Sequence, residues 1–155
     1  PVPGLPARTG HNGCMTRYAI DAGTALRLVS DGAQAPEDHQ LVGPSRLRSD
    51  VMVRLYAMVR SGELDDAAAR VLLDRLASLR IRLLGDRVSR AVAWTIARDH
   101  GWDDPGPAEY LAVARLQADR LVTTEATLAA AADVPLAPIE ELYGPPGESG
   151  GGTGN

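Results

Sequence analysis

Two acidic positions invite chemistry before any fold is known. Asp21 closes the run Arg17-Tyr-Ala-Ile20, and Glu125 follows Leu121-Val-Thr-Thr124. Each run reads as a short strand, and each acid sits just past its strand's end. In sheets whose strands alternate with helices, binding falls at the carboxyl ends of the strands. Two carboxylates there make a cation site if the strands are neighbours, because hard divalent cations take carboxylate oxygens. Thr123 and Thr124 flank Glu125, and Asp103 and Asp104 lie in a loop ahead of a later helix.

Other reactive residue types offer less. His11, His39 and His100 form no cluster, and His100 suits a helix end without any chemistry. A single cysteine, Cys14, excludes an internal disulfide framework and a thiolate metal cluster. No glycine-rich loop has the spacing that cradles nucleotide phosphates. The formal net charge of -4 gives no general electrostatic grip on nucleic acid. No apolar run approaches the ~20 residues of a membrane helix. The expected location is cytoplasmic, with no membrane partner.

The elements that must position the acids alternate along the chain. After the Arg17–Ile20 strand, Thr24 to Val29 reads as a helix with Leu26 and Val29 inward. Gln40 to Val42 reads as a brief strand. Pro44 or Ser45 opens a helix to about Arg60, with Leu47, Val51, Leu55, Met58 and Val59 at helical spacing. Asp65 or Asp66 caps the next helix, whose stripe is Ala68, Val71, Leu72, Leu76 and Leu79. Arg80 to Leu84 alternates as a strand does, and helices follow over about 88–99 and 109–116. Leu121 to Thr123 is a strand, 125–131 a helix, and Leu136-Ala137 a last strand candidate. Strands separated by helices imply an α/β fold, a mostly parallel sheet covered by helices on both faces. At 155 residues one domain is expected, over 15–143. Residues 1–14 read as a disordered or non-native tail, with Met15 a natural start, and 144–155 as a flexible Gly- and Pro-rich tail.

Four blocks resemble the PIN-domain family, in particular small bacterial toxin-type nucleases and their unpaired relatives. They are Tyr18-Ala-Ile-Asp21-Ala-Gly-Thr, Leu41-Val-Gly-Pro44 with Asp50 six residues beyond the proline, Glu109-Tyr-Leu-Ala-Val-Ala114, and Asp119-Arg-Leu-Val-Thr-Thr-Glu125. They fall in family order. The resemblance implies a PIN-like three-layer fold and a carboxylate cluster that binds Mg²⁺ or Mn²⁺ and hydrolyses RNA phosphodiesters. A bound divalent ion would activate water and neutralise charge growing on the phosphoryl group. Carried over by position, Asp21, Asp50 and Glu125 are catalytic and metal-ligating acids, and Thr123 supports one of them. Pro107 stands where the family has a further aspartate. Asp104 is the candidate to replace it, and Glu109 lies nearby.

Arg46, Arg48, Arg80, Arg82 and Arg87 are the RNA-contact candidates, with Arg90 and Arg98 beyond them. Trp94 reads as core or interface, and Trp102 as a lid or stacking platform. The expected function is a metal-dependent endoribonuclease, weakened at Pro107. The alternative is a catalytically degenerate PIN-like domain that binds RNA or protein. The resemblance also brings an antitoxin as a candidate partner. The Ala- and Leu-rich helices of 44–84 suit a homodimer.

Overall fold

The computed structural model describes residues 15–143. Both expected tails lie outside the described residues.

Strand β1 (Thr16–Ile20) buries Tyr18, Ala19 and Ile20 and runs directly into α1 (Ala22–Ser30). β2 (His39–Pro44) follows, then α2 (Leu47–Arg60), α3 (Asp66–Ser78) and β3 (Arg82–Leu84). The remainder is α4 (Arg87–His100), α5 (Ala108–Gln117), β4 (Arg120–Val122), α6 (Ala126–Ala131) and a 3₁₀ turn at Ile139–Leu142. The sheet order is β3-β2-β1-β4, with every pairing parallel. Tyr18 aligns with Leu41 on one side and Arg120 on the other. Leu136 adds a parallel bridge to Leu121, all that forms of the last strand candidate.

Helices flank both faces, because a parallel sheet needs crossovers and each crossover here is helical. α1, α2 and α3 pack on one another, while α5 lies against β1 and β2 with α4 on top of it. With no Phe in the chain, aliphatic residues fill the centre: Ile20, Leu28, Leu41, Leu47, Leu55, Leu121 and Leu142 are fully buried. The helices start on side-chain caps where the sequence supplies them. Asp21, Asp65 and Asp86 each accept a hydrogen bond from a backbone N–H three residues on. Gly101, at φ 67°, closes α4 in the left-handed conformation that favours glycine.

Several boundaries differ from expectation. Pro44 does not open a helix; it ends β2, opposite Leu84. It has no N–H to donate, and the bond to the Leu84 carbonyl comes from Ser45 instead, at 2.9 Å. β3 is shorter than Arg80–Leu84, since Arg80 and Ile81 precede the pairing. On α3 the buried positions are Ala69 and Leu76, and Val71 faces solvent. On α1, Leu28 and Val29 are buried while Leu26 is only half-buried. Trp94 is outside the core, 68% exposed on α4. Among the described residues no helix is long and apolar enough to cross a membrane.

Candidate functional site

β1 and β4 are neighbours, so their carboxyl ends bring Asp21 and Glu125 to one edge of the sheet. A cleft of about 680 Å³ opens there, lined by both acids and by Asp50 of α2. Arg46, Arg54, Trp102, Asp103, Asp104, Pro107 and Tyr110 also line it.

Asp21 is 1% exposed, and both of its oxygens are engaged. Oδ1 accepts the Thr24 N–H at 2.8 Å, which caps α1. Oδ2 accepts the Thr123 hydroxyl at 2.6 Å, the Thr124 N–H at 2.9 Å and the Thr124 hydroxyl at 3.2 Å. The carboxylate thus ties the start of α1 to the turn after β4. Gly23 permits the approach: a Cβ there would lie 2.1 Å from Thr124 Oγ1. The Thr123 hydroxyl also accepts the Glu125 N–H at 3.0 Å, which fixes the backbone of the second acid.

Asp50 faces the cleft from the first turn of α2, where an acid suits the helix dipole. Arg46 one turn earlier grips it with two bonds, Nε to Oδ2 at 2.8 Å and Nη2 to Oδ1 at 3.3 Å. The Tyr110 hydroxyl donates to Oδ2 at 2.6 Å. Arg46 also reaches Glu109 through Nη1 at 3.3 Å. Burial works against the Arg46 charge, yet the bonds and charges of Asp50, then Glu109, outweigh it and raise the guanidinium pKa. Burial, and then the hydrogen bond and charge of Asp50, push the Tyr110 phenol far above its ordinary value. It stays a proton donor to Asp50 at any physiological pH. Glu125 stands at the head of α6 without capping it, and its Oε1 takes Arg54 Nη2 at 2.7 Å.

The remaining candidates divide. Pro107 occupies the position before α5 and makes no side-chain bond. Asp104 is exposed on the cleft wall, and its Oδ1 accepts the Gly106 N–H at 2.8 Å, closing a local turn. Asp103 lines the same wall without a described partner. Among the described arginines, Arg46 and the unexpected Arg54 are the ones that line the cleft. Arg80 and Arg82 border a separate depression with Met15 and His39 at the opposite end of the sheet. Arg48 and Arg87 are exposed at the starts of α2 and α4. The five candidates therefore do not form one basic surface with the acids. Arg54 and Tyr110 are the site residues that sequence reasoning missed.

A divalent ion needs several free carboxylate oxygens converging on one point. Among the described residues no three Asp, Glu, His or Cys side chains converge in that way. Asp21 serves backbone and hydroxyl donors, Asp50 serves Arg46 and Tyr110, and Glu125 serves Arg54. In this arrangement each of the three acids is engaged by this chain's own donors. The cleft still carries five carboxylates against two guanidiniums, a formal excess of three negative charges.

No protein-family model matches the chain, and no curated protein matches it. Among solved structures, the crystal structure of PAE2754 from Pyrobaculum aerophilum is similar, with a TM-score of 0.63 and 22% identity. The match covers 82% of this chain and 93% of that one. At that identity the likeness speaks to the fold alone. The fold is α/β and PIN-like, a parallel sheet between two layers of helices.

Proposed function

We propose that this chain is a PIN-like domain that binds a protein partner at its carboxylate cleft and does not cut RNA. One observation carries the reading: the acids at the carboxyl edge of the sheet are held by this chain's own donors, with Arg46 on Asp50 and Arg54 on Glu125. Metal-assisted hydrolysis needs carboxylate oxygens converging on an ion, and here Asp50 and Glu125 each hold a guanidinium. The residual negative charge repels an RNA backbone and favours basic side chains. Beside the cleft, α2 turns Met52, Val53 and Tyr56 to solvent at 50%, 62% and 67% exposure. Adjacent exposed apolar side chains at a cleft rim are characteristic of protein contact. The partner that fits is therefore a segment presenting both apolar and basic groups.

A second reading, the metal-dependent endoribonuclease using Mg²⁺ or Mn²⁺, draws on the shared placement of Asp21, Asp50 and Glu125 in one cleft. One set of assays separates the two. The full chain is incubated with end-labelled single-stranded RNA and millimolar Mn²⁺. Its binding to fluorescent RNA, to a basic amphipathic peptide and to the charge-reversed peptide is followed by anisotropy. The proposal expects intact RNA, and saturable binding of the basic peptide alone, weakened by Tyr56→Glu. Mn²⁺-dependent cleavage that Asp50→Asn abolishes would establish the nuclease instead.

A further inference from the structure

We propose that the segment fitting this cleft is helix α4 of a second copy of the chain, whose outer face sets arginines around an exposed tryptophan. The inference rests on the protein-binding reading above and names the partner.

At about 3.6 residues per turn, Arg87, Arg90, Trp94 and Arg98 fall along one stripe of α4, and all four are exposed. On the other side of the helix Ser89, Ala93, Ile96 and Ala97 are buried, where α4 packs on α5. The stripe therefore faces away from the sheet. Among the described residues Arg87 makes no ion pair, and Arg90 reaches only the Gly85 carbonyl, at 3.4 Å. Arg98 rests on its exposed neighbour Asp99 at 3.2 Å, a pair open to solvent on both sides. Trp94 stands among these guanidiniums at 68% exposure. An indole so placed contributes nothing to this chain's own core. Tryptophan and arginine are the side chains that most often carry the energy of a protein contact.

The cleft is the converse surface. Asp50 and Glu125 already hold their arginines, but Asp103 and Asp104 are exposed and have no guanidinium partner among the described residues. An incoming arginine meets those two acids first. Met52, Val53 and Tyr56 on the rim offer an indole something apolar to pack on. Arginines against an acidic excess, and an indole against an apolar rim, match in sign and in chemistry. Both surfaces belong to one chain, so every copy brings each in equal amount. The cleft wall from Gly101 to Asp104 continues directly from the end of α4. Trp94 precedes Gly101 by about 10 Å of helix. Surfaces so close suit a two-fold arrangement in which each α4 enters the other copy's cleft, an isologous contact that closes as a dimer. Exposed ion pairs are weak, so the dimer forms at submillimolar and not at nanomolar concentration.

The test is sedimentation velocity of the full chain from micromolar to submillimolar concentration, with charge-swapped variants. The parent should dimerise, less so as salt is added. Arg90→Glu with Arg98→Glu in one variant, and Val53→Arg with Asp103→Arg in another, should each weaken self-association on the order of a hundredfold, because like charges then meet. An equal mixture of the two variants should dimerise again, since each stripe now faces a cleft of opposite sign. All four positions are exposed, and recovery on mixing shows that both variants are folded. Trp94→Ala should weaken the parent dimer, and the basic amphipathic peptide should dissociate it. A chain that stays monomeric while the peptide still binds overturns the inference and leaves the proposed function in place. A monomer that binds no peptide overturns both. A dimer that neither variant weakens, that mixing does not restore, or that persists with the peptide bound also overturns the inference. So does RNA binding lost on reversing Arg90 and Arg98 in a chain that never self-associates, which would assign the stripe to nucleic acid.

Discussion

Replacing Asp21 with asparagine keeps the size of the side chain but supplies one acceptor oxygen where the carboxylate has two. In the native arrangement one oxygen takes the Thr24 N–H and the other takes the Thr124 N–H with two threonine hydroxyls. The hydroxyls can rotate to accept from an amide, but the backbone donors cannot. Whichever way the asparagine turns, one N–H is left facing another N–H beside a fully buried side chain. An unsatisfied buried donor costs about 1–3 kcal/mol, and loss of the charge weakens the surviving bonds by roughly another 1 kcal/mol. The expected destabilisation is about 3 kcal/mol, or roughly 10 °C in midpoint for a domain of this size. Urea unfolding followed by circular dichroism would measure it as a lower midpoint concentration at constant slope. Were Asp21 chiefly a catalytic acid crowded by other free carboxylates, removing its charge would relieve repulsion and the variant would be as stable or more so. A gain in stability, or a loss under about 1 kcal/mol, would refute the structural role given to this acid.

Tyr110 retains its proton in the folded state beyond the ordinary phenol range, because burial and then Asp50 raise its pKa, so unfolding releases that proton at high pH. The sign follows: stability is fully present below about pH 10 and falls as the pH rises further. Tyr110→Phe should flatten part of that fall in thermal midpoints taken across the alkaline range; Tyr18 and Tyr143, also raised, keep the rest. The Arg54–Glu125 pair is about half-exposed, so Glu125→Gln should cost less than about 1 kcal/mol in denaturant unfolding, with the difference shrinking in high salt. Trp94→Ala should leave the midpoint nearly unchanged, within about 0.5 kcal/mol, because the ring lies on the outer face of α4; a large loss would mean that it packs.

How much of this was legible in the sequence depends on the range of each interaction. The strand-end acids could be found because a hydrophobic run followed by Asp21 or by Glu125 is a local pattern, and parallel topology assigns both to one edge. Arg46 and Asp50 are four apart in a helix, so their contact was also within reach of a spacing rule. Arg54 was not, since its partner Glu125 lies 71 positions away and only the folded sheet brings them together. Tyr110 was visible as part of a resemblance, yet its bond to Asp50 spans 60 positions. Pro44 misled for a physical reason. Proline suits a helix start and a strand end alike, and the ladder partner that decides between them, Leu84, is remote in sequence. Glu109 sits where a missing acid would be sought, but its α5 position directs it to Arg46.

The central claim is that Asp50 and Glu125 are held by this chain's own guanidiniums and Asp21 by its own backbone and hydroxyl donors. Its most direct test is a crystal structure of the full chain grown with millimolar Mn²⁺, with anomalous difference maps collected near the manganese edge. The account predicts no anomalous peak among Asp21, Asp50 and Glu125, with Arg46 still seated between Asp50 and Glu109. A manganese ion bound by those three acids, with the Arg46 and Arg54 side chains turned out to solvent, would contradict it.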